Sequence, residues 1–215
     1  GPNGERGYTL NPAVGCSGEG CAVYGVCYAR RMAKRFKQRC QKCYDFTPHY
    51  HLERLEQLQD LKRPTGIFLG SMGDLFDKAF SWHTTAAILF RLSYYPQHRF
   101  YLLTKQPQIA KRHEYSDNIW LGVTVNRKAD LWRIDGLRNI DVKVKFVSFE
   151  PLMEELGELD LSDVDWIIVG AQTKPDVQPR PWWVSQLVTQ AVQARIPIFL
   201  KHNLIGPNRQ EFPKV

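Results

Sequence analysis

After Cys43 the sequence settles into a rhythm of short apolar, β-rich runs separated by helix-like stretches, and this rhythm constrains the fold more than any other feature. Ile67-Phe68-Leu69-Gly70, Phe100-Tyr101-Leu102-Leu103-Thr104, Ile119-Trp120-Leu121-Gly122-Val123-Thr124-Val125 and Val142-Lys143-Val144-Lys145-Phe146-Val147-Ser148 read as strands. Trp166-Ile167-Ile168-Val169-Gly170 and Pro197-Ile198-Phe199-Leu200-Lys201 complete the series. Residues 82–95, 107–115, 129–137 and 181–194 read as the intervening helices. Parallel neighbours need a crossover that also covers the sheet, so the alternation argues for βαβ units. Several runs show little polar alternation, as strands buried on both faces do. With Tyr8-Thr9-Leu10 as a first strand the count reaches six or seven units. The expected fold is α/β: a partial (β/α)6-7 TIM-like barrel with a mainly parallel sheet, a flat doubly wound sheet being the alternative. No Pro/Gly/Ser-rich linker, repeat or low-complexity stretch interrupts it, so residues 1–215 are expected to form a single domain, with Gly1-Pro2 read as a protease scar.

Composition excludes several classes. A chain that is 43% hydrophobic and 24% charged has ample apolar material for a core and too little charge for intrinsic disorder. No apolar run approaches the ~18 residues of a membrane span. The first residues show no signal-peptide hydrophobic region, and a cytoplasmic protein is expected.

Functional groups of parallel α/β folds gather at the carboxyl ends of the strands. Those ends carry Ser71, Met72, Gly73 and Asp74, then Thr104 and Lys105, Thr124 and Asn126, Ser148 and Glu150, Gln172 and Lys174, and Lys201, His202 and Asn203. Asp74 or Asn126 alone could simply cap a helix. Six furnished ends together point to a working rim.

Upstream lie all five cysteines: Cys16, Cys21, Cys27, Cys40 and Cys43. A chain able to build its own core has little need of a disulfide framework, and clustered thiols in such a chain point to metal or redox chemistry. Residues 14–30 would form a glycine-rich loop and the start of the first helix. Three thiolates there could hold a cubane by three irons and leave the fourth open, or zinc could recruit a fourth ligand and close the site. Residues 38–52 form a second Cys/His segment, in which Cys40 and Cys43 precede His49 and His51. That segment could hold zinc, hold part of a second cluster, supply an extra ligand to the first, or carry plain thiols.

The formal charge of +7 is equally local. Residues 28–43 hold seven Lys or Arg and no acid, and the rest of the chain is formally neutral. Tyr28, Met32 and Phe36, at helical spacing, are expected to face the core. Arg30, Arg31, Lys34 and Arg35 would then form a solvated arc, either inert or suited to nucleic-acid phosphates.

Asn11-Pro12 before Gly15-Cys16, the ending Cys27-Tyr28-Ala29-Arg30 and basic residues 31–35 resemble the phage-associated three-cysteine family of radical-SAM-like proteins. The resemblance continues through Gly70-Ser71-Met72-Gly73-Asp74, Leu102-Leu103-Thr104-Lys105, Trp120-Leu121-Gly122-Val123-Thr124, Phe149-Glu150-Pro151 and the closing Pro197-Ile198-Phe199-Leu200-Lys201. It implies a partial barrel in which Cys16, Cys21 and Cys27 ligate a [4Fe-4S] cluster whose open iron chelates S-adenosylmethionine (SAM). Reductive cleavage would give a 5′-deoxyadenosyl radical that abstracts hydrogen from an unidentified substrate, a nucleic acid being one candidate. A reductant protein is the implied partner. By position, Ser71, Met72, Gly73, Asp74, Thr124, Ser148 and Glu150 would contact SAM. The spacing departs from the superfamily's C-x(3)-C-x(2)-C, reading C-x(4)-C-x(5)-C. Two other classes compete with this expectation: a non-catalytic zinc or iron–sulfur protein that binds nucleic acid, and a metal-independent hydrolase using Glu150, Lys201 and His202.

Overall fold

The computed structural model describes residues 6–206 and 208–214, so the reading of Gly1-Pro2 lies outside the described residues. Seven strands form one wholly parallel sheet: β1 (Arg6–Leu10), β4 (Thr65–Leu69), β5 (Arg99–Thr104), β6 (Ile119–Thr124), β7 (Val144–Phe149), β8 (Trp166–Val169) and β9 (Ile198–Leu200). They lie side by side in chain order and curl into a half-barrel, as the partial-barrel expectation has it. Two short strands, β2 (Ala13–Val14) and β3 (His49–Tyr50), pair antiparallel outside it.

Strand alternation divides the side chains by chemistry. The outward face is aliphatic: Ile67, Leu69, Leu102, Leu121, Val123, Val147, Ile167, Ile198 and Leu200 all pack in the main core. It is covered by α3 (Trp82–Ser93), whose Thr85, Ile88, Leu89 and Leu92 form the helical stripe, together with α5 (Trp132–Arg138) and α6 (Pro181–Gln193). Proline at the first position of α6 meets no missing hydrogen bond there. The concave face is aromatic, built on Trp120, Phe146 and Trp166 with Tyr101 and Phe199.

Phe212 closes one side of this aromatic face, its ring centroid 5.3 Å from those of Trp166 and Phe199. The segment that carries it runs along the β9 edge. The Leu200 amide donates to the Arg209 carbonyl at 2.7 Å and the Glu211 amide to the Ile198 carbonyl at 3.1 Å. The Trp166 indole N–H reaches the Glu211 carbonyl at 2.9 Å.

Two local expectations are corrected. The helix expected over 107–115 shrinks to α4 (Pro107–Ala110). The basic helix is interrupted: α1 (Tyr28–Ala33) tightens into a 3-10 turn at Lys34–Phe36, and α2 (Gln41–Asp45) follows. Ala29 and Ala33 are the buried positions of α1, while Tyr28 stands 55% exposed. The buried stripe is therefore made of small residues, which let α1 sit close to Phe46.

Candidate functional site

The segment from the end of β1 to α1 folds over the carboxyl ends of the sheet and is fastened at successive points. Asn11 Oδ1 accepts from the Met72 amide at 2.9 Å and the Ser71 hydroxyl at 3.2 Å. The Gly15 amide donates to the Met72 carbonyl at 2.9 Å. Gly15 has φ +86, and a Cβ there would lie 2.7 Å from the Phe46 carbonyl oxygen and 2.8 Å from the Pro48 nitrogen, so only glycine fits. Directly after Cys16, the Ser17 amide and hydroxyl both donate to Asp77 Oδ2, at 2.8 and 2.7 Å. Directly before Cys21, the Gly20 carbonyl accepts from Arg133 Nη2 at 2.6 Å. Arg133 is 1% exposed; it also donates to the Thr124 carbonyl at 2.8 Å and pairs with Asp130 at 3.1 Å. Burial works against its charge, and Asp130 offsets that penalty.

These fastenings aim three thiols into one cavity of about 740 Å³ at the barrel mouth. Cys16, Cys21 and Cys27 line it with Ser71, Gly73, Asp74, Thr124 and Glu150. All five cysteines are free of disulfides. Burial pushes the Cys16 thiol up to about 12; the Gly18 amide opposes this, and the nearby Asp74 and Asp77 charges add to it. The protein thus provides little to stabilise a bare thiolate there, and a cationic centre would. Thr124 is 2% exposed, and its Oγ1 has no hydrogen-bond partner. A buried hydroxyl of this kind is a ready contact for a polar ligand.

Asp74 is differently employed. Its carboxylate accepts from the Thr104 hydroxyl at 2.8 and 3.0 Å, from the Lys105 amide at 2.8 Å and from the Phe76 amide at 3.0 Å. It fastens the end of β4 to the end of β5, and burial raises its carboxyl against those hydrogen bonds. Met72 packs with Ala29, Ala33 and Phe46 and is not part of the cavity wall. Ser148 is 2% exposed and lines a separate chamber of about 480 Å³ under the mouth, among Tyr101, Phe146, Trp166 and Phe199. Glu150 and Lys201 border both spaces, joined by bonds of 2.6 and 2.7 Å.

Three of the four candidate phosphate contacts hold the protein's own backbone. Arg30 donates to the Tyr24 carbonyl at 3.1 Å and lies over the Tyr24 ring. Arg31 reaches the Lys174 and Thr173 carbonyls at 2.7 and 3.2 Å, and Lys34 the Tyr44 carbonyl at 3.1 Å. Arg35 is exposed.

The second Cys/His segment converges on itself. Among the described residues, Cys40, Cys43, His49 and His51 are the one group of three or more Cys, His, Asp or Glu whose donor atoms all lie within 4.8 Å of one another, a set able to hold a metal ion. The loop thiols Cys16, Cys21 and Cys27 share a cavity wall but form no such close group among the described residues. Cys40 and Cys43 face the two histidines and do not line that cavity, so they supply no extra ligand to it.

Compared with known families, residues 6–207 match the family described as "Protein of unknown function (DUF5131)". The chain belongs to the DUF5131 family. No curated protein and no solved structure matches it. No helix among the described residues of this DUF5131 protein is long and apolar enough to cross a membrane. Sequence reading found the thiols and the rim, and used Asn11 only as part of a motif, but passed over Asp77 and Arg133; all three position the loop. Each has a backbone partner far away in the chain, the Met72 amide, the Ser17 amide and the Gly20 carbonyl, and nothing in local spacing announces it.

Proposed function

We propose that this DUF5131 chain is an iron–sulfur enzyme of the radical SAM type. Cys16, Cys21 and Cys27 hold the [4Fe-4S] cluster, and the mouth cavity holds SAM. When bound, the pair supplies a one-electron cleavage of the sulfonium that yields methionine and a hydrogen-abstracting 5′-deoxyadenosyl radical. The observation that carries this reading is the convergence of three free thiols on one large cavity at the carboxyl end of a partial (β/α) barrel.

The chain's own residues do the positioning. Asp77 and Arg133 hold the backbone at Ser17 and Gly20, between the first two thiols, so the loop need not reorganise when its ligands are engaged. Thr124 offers an unpartnered hydroxyl in the cavity wall. Glu150 and Lys201, at the border with the aromatic chamber, place a carboxylate and an ammonium where cofactor and substrate spaces meet.

Anaerobic reconstitution tests the proposal. About four irons and four sulfides per chain are expected, with a spectrum that changes on adding SAM and with 5′-deoxyadenosine released under reducing conditions. Cys16→Ala, Cys21→Ala and Cys27→Ala should each lose the cluster. Zinc alone at these thiols, or unchanged iron in all three variants, overturns the assignment. The competing reading, a non-catalytic nucleic-acid-binding protein, draws on the exposed Arg31, Lys34 and Arg35. It predicts a centre inert to SAM and nucleic-acid binding that weakens steeply with salt.

A further inference from the structure

We infer that Cys40, Cys43, His49 and His51 bind one Zn²⁺ in a closed, four-ligand site, and that this ion braces the strand from which the cysteine loop departs. The four donors already form the edges of a small tetrahedron. Cys40 Sγ lies 3.4 and 3.7 Å from the Nε2 atoms of His49 and His51, and Cys43 Sγ lies 3.3 and 3.1 Å from them. Zn–S bonds of about 2.3 Å and Zn–N bonds of about 2.0 Å in tetrahedral geometry call for S···N edges of about 3.5 Å.

The histidine tautomers make an independent argument. His49 Nδ1 lies 2.7 Å from the Thr47 carbonyl oxygen, which can only accept, and His51 Nδ1 lies 2.7 Å from Glu53 Oε1. Both Nδ1 atoms therefore carry the proton, and in neutral rings both Nε2 atoms present a bare lone pair. Those two lone pairs face each other across 2.9 Å, with two sulfurs beside them. Two thiol hydrogens can serve only part of this set of close contacts, whereas one cation that replaces them satisfies both sulfurs and both nitrogens at once. The Nδ1 hydrogen bonds are also the outer contacts that orient metal-bound imidazoles. Two sulfurs and two nitrogens in a tetrahedron select zinc, and four protein ligands leave no open position, so the ion is structural.

The ligands reach the cysteine loop by a short path. His49 sits on β3 opposite Val14 of β2, the His51 amide donates to the Pro12 carbonyl at 2.8 Å, and the Phe46–Pro48 backbone presses on Gly15. Zinc thus ties α2 to β3, and β3 holds β2 and the residue that precedes Cys16. This bracing role rests on Cys16 being a cluster ligand; the zinc assignment does not.

The test separates the two. Metal analysis of the chain with Cys16, Cys21 and Cys27 all changed to alanine should show one zinc per chain, lost in the same background by Cys43→Ser. Cobalt loaded in place of zinc should give the visible bands of tetrahedral thiolate coordination. Zinc absent from the triple variant, or retained after Cys43→Ser, overturns the site. For the brace, unmutated protein is compared zinc-loaded and after chelation with EDTA. Amide exchange at residues 13–16 should be about tenfold slower with zinc, and cluster retention after reconstitution should fall on chelation. Unchanged exchange together with unchanged iron overturns the brace while leaving the zinc site standing.

Discussion

Replacing Arg133 by methionine removes a buried cation while keeping most of the stem that fills its place. Three contacts disappear: the bonds to the Gly20 and Thr124 carbonyls at 2.6 and 2.8 Å, and the 3.1 Å pairing with Asp130. Asp130, with a side chain 3% exposed, is left with the Asn126 amide at 3.2 Å and the Arg127 guanidinium at 3.9 Å. Breaking a buried ion pair by removing one partner costs about 3–5 kcal/mol, and the orphaned carbonyls belong to the same loss. Arg133→Met should therefore lower the unfolding free energy by about 3–5 kcal/mol, measured by urea denaturation of metal-loaded protein followed by circular dichroism. Adding Asp130→Asn should recover part of that loss, because it removes the unpaired charge, giving a coupling of about 1–3 kcal/mol. The loop should also become more susceptible to proteolysis around Gly20, since its anchor is gone. A loss below about 1 kcal/mol, or strict additivity of the two substitutions, would refute the reasoning.

Phe212→Ala should destabilise by about 1–3 kcal/mol, as expected for a partly buried aromatic residue, and should shift tryptophan emission to the red as water reaches Trp166; unchanged emission would count against the packing described. Stability should also fall as pH drops below 6.5. Burial lowers the pKa of His98 and His113, so the unfolded chain takes up protons that the folded chain refuses. Each histidine contributes up to about 1.4 kcal/mol per pH unit. Urea midpoints at pH 7.5 and 5.5 should differ in the unmutated protein and differ less in His113→Leu; equal slopes for the two proteins would contradict the assignment.

The fold was legible because burial on two faces leaves long apolar runs that punctuation alone can separate. Strands such as Trp166-Ile167-Ile168-Val169 needed only their boundaries trimmed. Position at the strand ends likewise brought Ser71, Asp74, Thr124 and Glu150 to one mouth. Ser148 shares the concave face with its register partner Thr124 and with Glu150 two residues on, but it sits deeper and lines the aromatic chamber. The His-x-His pair was legible as part of a possible zinc site, and its spacing suits a strand rather than a helix. On a strand the period is two, so β3 presents His49 and the following His51 to the same side. Tyr28 misled: spacing suggested a long buried stripe, but α1 ends after six residues and packs through alanines. Arg133 could not have been found this way. Its role depends on carbonyls of Gly20 and Thr124 that only the folded chain brings within reach.

The arc of strands never meets itself: β1 and β9 remain separate margins, and the chamber behind the mouth is walled by Thr9 on one and Phe199 on the other. A sealed cylinder admits only what can descend through its rim. A gutter of this kind has flanks as well as a rim, and the segment that carries Phe212 already covers the β9 flank.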